Sequence, residues 1–223
     1  MATTNFNILH TKFSNMIRDA VATANLAGTD LSSADRSVYL NSAWSKYVGM
    51  AYAKYENDVF RLQALFQSMI KMSSAITTAA DGIITSVLIP TDYGYFVKLS
   101  KAGIAIPKKT PAIWNSILSA VNENIAPSAT SPVCLPTDTQ IEILPAAVYI
   151  ARLTYIIKPF SVVVVTGSGG TDIPLGEKHW HTVLALAASE YYKSAKQEQG
   201  LSDSFFQEAV MVSPFPLIDE VKK

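Results

Sequence analysis

Apolar residues recur along the first third of the chain at intervals of three and four, the spacing that lines up one side of an α-helix. Phe6, Leu9, Phe13, Met16, Ile17, Ala20, Val21 and Ala24 form the first stripe, which is predicted to end near Gly28. Ser32 stands three residues before Asp35, the acidic variant of a capping box, and opens a second stripe at Leu40, Trp44, Tyr47, Val48, Ala51 and Tyr55. A third stripe, Val59, Leu62, Phe66, Met69, Ile70, Ser73 and Ile76, carries the helical region to about Thr78.

At Asp81-Gly82 this period gives way to short β-branched segments punctuated by proline and glycine. Ile83 to Ile89 reads as a strand closed by Pro90, Tyr93 to Leu99 as another, and Gly103 falls in the turn that follows. Pro111 to Val121 fits either an irregular stretch or a short helix, and Pro127 to Pro132 is a loop by composition. Gln140 to Leu144 is a short strand broken by Pro145. Val148 to Lys158 is longer, with Tyr149, Ala151, Leu153, Tyr155 and Ile157 on an apolar face and Arg152 and Thr154 on the other. Ser161 to Val165 is a last strand, ended by Gly167-Ser168-Gly169-Gly170.

Helical spacing returns at Trp180, Val183, Leu184, Ala187, Ala188, Tyr191 and Ala195, with Gly200 expected as the terminating C′ residue. A short amphipathic segment from Asp203 to Met211 follows, then the apolar tail Pro214-Phe215-Pro216-Leu217-Ile218. Helices, then strands, then helix is an α+β order rather than an alternation of βαβ units. The expected organisation is an N-terminal helical bundle or hairpin, a β-rich centre and a C-terminal helix with a tail. Residues 1–80 and 175–223 form the helical part with its tail, and 81–174 the β-rich part.

Composition adds a reason to expect partners. Charged residues are 16% of the 223, against roughly 25% in an average soluble domain. Eighteen Lys and Arg balance eighteen Asp and Glu, so the formal charge is zero, and no basic stretch is present to grip phosphate. A surface short of charge and near neutrality favours association over a lone folded monomer. The N-terminus lacks the basic and apolar regions of a secretion signal, and no apolar run reaches the roughly 18 residues of a membrane span, so the chain is expected to stay where it is made. One cysteine, Cys134, fits a reducing compartment and reads as a small half-buried hydrophobe.

Candidate chemistry is thin. Val162 to Gly170 resembles a strand running into a phosphate cradle, but Asp172 stands where a dinucleotide fingerprint needs its third glycine, and no Gly-Lys-Ser/Thr follows. A nucleophile elbow at Ser168 would need glycine at Thr166. His179 and His181 flank Trp180, yet helical residues two apart point to different sides, so a surface or interface role is expected for them rather than metal binding. Glu56 with Asp58, and Glu142 with Glu177, are carboxylate pairs that nothing singles out for acid–base work. No catalytic residue, cofactor or metal is therefore assigned.

Three phrases taken in order resemble the head-to-tail connector ring proteins of tailed phages, of the crAss-like type. They are Leu31 to Ala43, which is like that family's helix-opening segment; Val87-Leu88-Ile89-Pro90-Thr91-Asp92-Tyr93, its Leu-x-Pro-x-Asp-Tyr entry into the β domain; and a long third phrase. The third runs from Pro127–Pro132 through Ile141-Glu142-Ile143-Leu144-Pro145 and Tyr155-Ile156-Ile157-Lys158-Pro159 to Ile173-Pro174-Leu175 and the helix opened by His179. The resemblance implies an N-terminal helical bundle with a central antiparallel β-sandwich-like domain and a C-terminal helix returning to the bundle, arranged as a dodecameric ring around the DNA channel beneath the portal, with no catalytic residues.

The expected function is thus that of a structural virion protein of the phage neck. Its partners are further copies of itself, the portal protein and other neck or tail proteins; DNA only passes through the channel, and no membrane is involved. It is made in the host cytoplasm and resides in the virion. Phe205 and Phe206, with Phe215, Leu217 and Ile218 of the tail, are the candidate interface residues, the tail being expected to dock on a neighbour. Two rivals stay open: a cytosolic nucleotide-binding or hydrolytic enzyme using the Gly167–Gly170 turn, and a secreted or surface-binding β module.

Overall fold

A computed structural model describes residues 4–23, 31–119, 126–137, 139–159, 172–174 and 176–217. The fold is α+β, and the chain divides into a helical unit, Met1–Met69 with Pro159–Lys223, and a β unit, Ile70–Lys158. The Ser161–Val165 strand and the Gly167–Gly170 turn expected from the sequence lie outside the described residues.

In the helical unit, strand β1 (Thr4–Asn5) pairs antiparallel with β10 (Asp172–Ile173), and helix α1 (Phe6–Thr23) follows directly. Phe6, Leu9, Phe13 and Ile17 of its stripe are all buried. Helix α2 (Ser33–Tyr55) starts where the capping pattern puts it, with Ser32 Oγ accepting from the Asp35 amide at 3.1 Å. Its Leu40, Trp44, Tyr47, Val48 and Ala51 are buried. Helix α3 (Val59–Phe66), capped by Asp58, buries Leu62 and Phe66.

Helix α3 is shorter than its apolar spacing suggests. The third stripe runs past Phe66 in sequence, but the chain turns there, and Ile70–Met72 (β2) and Ile76–Thr77 (β3) pair with a strand of the β unit. The β-rich part therefore begins at Ile70, not at Asp81. An apolar run with spacing three fits a helix or two short strands equally; the backbone pairing of Ser73 with Leu153, N to O at 2.8 Å, decides for strands.

The last long helix, α5 (Trp180–Tyr191), is preceded by a 3-10 turn at Glu177–His179. Every residue from Thr182 to Ser189 is buried, so α5 is the central rod of the unit and packs on α1, α2 and α6 (Gln199–Val212). Its small residues at Ala185, Ala187 and Ala188 permit neighbours on all sides. Tyr192–Lys196 continues as π-helix, and Gln197, at φ 55°, takes the left-handed position that ends it. Gly200 was the expected terminator, but it lies inside the first turn of α6. Polar links between helices include Tyr192 Oη to the Ile17 carbonyl at 2.9 Å and Ser42 Oγ to the Glu190 carboxylate at 3.1 Å.

The β unit holds two antiparallel sheets. One has the order β2-β9-β5-β6, with β3 also pairing β9; the other is β4-β8-β7. The strands are β4 (Ile83–Ile84), β5 (Tyr93–Lys101), β6 (Ile104–Ile106), β7 (Val133–Pro136), β8 (Ile141–Leu144) and β9 (Ile150–Ile157). Strand β4 covers only the first two residues of the expected Ile83–Ile89 segment, because Thr85 to Ile89 curls into a turn through the Thr85 carbonyl. The Pro111–Ser119 segment resolves as helix α4, with Trp114 buried.

The sheets are joined at both sides. On one side the chain leaving β6 runs beside β7: the Cys134 amide donates to the Pro107 carbonyl at 2.9 Å, and the Lys109 amide to the Cys134 carbonyl at 2.8 Å. On the other side β8 continues through the cis Leu144-Pro145 bond into β9, so one bent path serves both sheets. Ile141, Ile143, Ala151, Leu153, Tyr155 and Ile157 alternate inward along that path and form the core with Ile84, Leu99 and Ile106. Glycine is required where β5 bulges between Tyr93 and Tyr95: a Cβ on Gly94 would lie 2.7 Å from Lys158 Cα.

Candidate interaction surface

Two titratable groups of the helical unit, His179 and Tyr47, are strongly perturbed and face each other. His179 is buried, and its Nδ1 lies 2.6 Å from Tyr47 Oη, while the Phe66 ring stacks on it at 5.9 Å. A second ring hydrogen bond runs to the Leu65 carbonyl. A carbonyl only accepts, so the other nitrogen carries the proton and Nδ1 accepts from the Tyr47 hydroxyl. Burial, aided by the neighbouring Lys178 charge, lowers the imidazole pKa to about 4, against the lifting effect of the Leu65 bond. Burial also raises the Tyr47 hydroxyl. His179 is thus a neutral, fully bonded core residue, which corrects the surface role expected for it.

A cleft of about 610 Å³ beside it is lined by Ala64, Gln67, Ser68, Gly176, Lys178 and His179. Lys178 Nζ donates to the Ala64 carbonyl at 3.0 Å, and Ser68 Oγ to the Pro174 carbonyl at 3.0 Å. With both imidazole nitrogens engaged, the cleft presents no ring nitrogen for general acid–base work. Among the described residues no group of three or more His, Cys, Asp and Glu comes together to hold a metal ion.

The carboxylate pairs noted in the sequence are used locally. Asp58 caps α3 by accepting from the Arg61 amide at 3.0 Å, and Glu142 accepts from Gln140 Nε2 at 2.8 Å. Asp92, in the Pro-x-Asp-Tyr phrase, ties three strands: it accepts from Lys71 Nζ of β2 at 2.6 Å and Tyr155 Oη of β9 at 2.7 Å, one residue before β5. The Lys71 bond holds its carboxyl below the ordinary range. Cys134 is fully buried, not half-buried, and burial pushes its thiol up to about 12 despite the nearby Lys108 charge.

The candidate interface residues behave differently from one another. Phe215 is 3% exposed, its ring 5.1 Å from that of Tyr47 and 6.2 Å from that of Tyr55. The expectation that the tail docks on a neighbour through Phe215 is therefore overturned: its own α2 supplies the apolar cover. Phe205 stacks on Tyr192 at 5.5 Å, again within the unit. Phe206 and Leu217 are half-buried. Ile218 lies outside the described residues.

Exposed apolar groups lie elsewhere and on both units, Val87 at 90% and Phe60 at 85% among them. On the β unit, Met72 is 58% exposed, Ile150 64% and Ile104 76%, and at the end of α6 Met211 is 77% exposed. Met72 pairs with Thr154, and Arg152 with Ser100, while Ile150 and Arg152 are two apart on β9; all of these share one face of the larger sheet, open at Met72, Ile150 and Arg152 and covered at Thr154. That face holds a groove of about 430 Å³ lined by Met72, Ala75, Ser100, Gly103, Ile150 and Arg152. No family model matches the chain, and no curated protein does either. The sequence signal for this surface is the face opposite Tyr149–Ile157, which carries Val148 and Ile150 beside Arg152 and is too apolar for a purely solvated one. Among the described residues no helix is long and apolar enough to cross a membrane.

Proposed function

We propose that the chain is a structural virion protein of a tailed phage: a ring-forming neck subunit, assembling as a dodecamer, that links the portal vertex to the tail and surrounds the DNA channel. The observation that carries this reading is the outer sheet face with its exposed Met72 and Ile150 around Arg152, a surface suited to association. Its polar groups point the same way, since His179, Tyr47, Asp92 and Tyr155 are each used to hold the fold together. Equal numbers of cationic and anionic residues suit a channel wall that DNA must slide past without being held. The resemblance of the three phrases to connector proteins supplies the assignment to the neck.

Mass spectrometry of purified virions of the phage encoding the chain tests this directly. The protein should appear in a constant ratio to portal protein, and negative-stain images of the detached neck should show it as a ring. Absence from the particles overturns the assignment. A rise in melting temperature with added nucleotide would favour the rival enzyme reading instead, because a ligand that binds only the folded state stabilises it by mass action.

A further inference from the structure

The groove on the larger sheet and the end of α6 are complementary in chemistry. The groove offers two exposed apolar side chains, Met72 and Ile150, a rim opened by Gly103, and the Arg152 guanidinium, which forms no ion pair with any described residue. Glu208, Met211 and Val212 stand at i, i+3 and i+4 on α6 and so share one side of the helix. Met211 is 77% and Val212 41% exposed, and the Glu208 carboxylate has no ion pair with a described residue. The helix stops at Ser213, which is extended before Pro214, so this side is presented at a blunt end.

We propose that the groove of one copy receives the Glu208–Val212 end of α6 from a second copy, with Arg152 meeting Glu208 and Met211 seated between Met72 and Ile150. The inference rests on the ring-forming reading and names its contact. An Arg–carboxylate pair fixes direction and register, while the apolar side chains supply burial. Because the two surfaces differ, the contact is head-to-tail: each copy gives one and receives one, and the chain of copies closes when the rotation per step divides a full turn.

Two variants that each add one cysteine, Ile150→Cys and Met211→Cys, provide the test, since native Cys134 is buried and does not compete for reagent. Mixed together and treated with a short bismaleimide, they should give a covalent dimer that neither gives alone. In parallel, Arg152→Glu and Glu208→Arg should each weaken self-association in sedimentation equilibrium about tenfold, and the double variant should recover most of it. Dimers from either cysteine variant alone would mean a symmetric contact and overturn the proposal. So would a mixture that gives no dimer at the highest soluble concentration, or a double-cysteine chain that links only within itself. The two readings fail separately: a chain absent from virions sinks the neck assignment and leaves the dimer standing, whereas a chain present in virions but giving no dimer sinks only this contact.

Discussion

In the helical unit α5 is covered on every side, and the buried polar groups Tyr47 and His179 answer each other; in the β unit one face of the larger sheet is left open at the Ile150–Arg152 end of β9. Along β9, Ala151, Leu153 and Tyr155 are buried whereas Ile150 is 64% exposed and Arg152 lies open. The core of the first serves its own stability, and the open end of β9 leaves apolar surface outward. Substitutions around α5 should register as lost folding free energy, and those at the open end of the sheet face as lost association.

The largest effect is expected at Phe215. Phe215→Ala removes a ring packed on Tyr47 and Tyr55 and should lower stability by about 3 to 5 kcal/mol, read as a fall in the chemical-denaturation midpoint. A midpoint shift near zero would return Phe215 to the role of a free docking residue.

Acid should act through the same cluster. Between the ordinary imidazole value of 6.5 and the folded value of about 4, the unfolded chain takes up a proton that the folded chain refuses. The stability that His179 contributes is therefore complete above about pH 6.5 and lost as pH falls toward 4, by about 3 kcal/mol in all. His179→Gln should flatten that slope in denaturant titrations at stepped pH, whatever its effect at neutrality. Tyr47→Phe leaves Nδ1 without its donor and should cost about 1 to 3 kcal/mol at pH 7.

The smallest effect belongs to the β unit. Ile150→Ser should change the melting transition of the free protein by no more than about 0.5 kcal/mol, since the side chain is already in water. A large loss would show that the outer face is part of the core after all.

What could be read from the sequence followed from how far each pattern repeats. The stripes of α1 and α2 run for several turns, and Ser32 with Asp35 marks a start, so both helices are legible. The third stripe misleads because Ile70, Ser73 and Ile76 keep a spacing of three while their backbone is claimed by β9, and nothing local reveals a partner some eighty positions away. Gly200 is a natural terminator by type, yet Gln197 adopts the left-handed conformation once the π-helical turn has shifted the register. His179 looked like a surface residue because its partners, Tyr47 and Leu65, are distant in sequence. Phe215 reads as outward for the same reason: proline-flanked and in the apolar tail, it betrays nothing of the ring of Tyr47 that covers it.

The circuit of strands in the β unit bears on how such a chain can crowd together safely. A strand with a free backbone rim is a template on which any extended peptide can lay itself down, indifferent to sequence and hard to reverse. Here Pro107–Lys109, following β6, runs alongside Cys134 of β7, and β8 passes into β9; among the described residues the end strands β2, β3, β4 and β6 are none longer than three residues. Short end strands offer a stray extended peptide few groups to pair with, so where this protein is concentrated, side chains, which can be matched, mismatched and released, weigh more in any contact than a long ladder of peptide groups would.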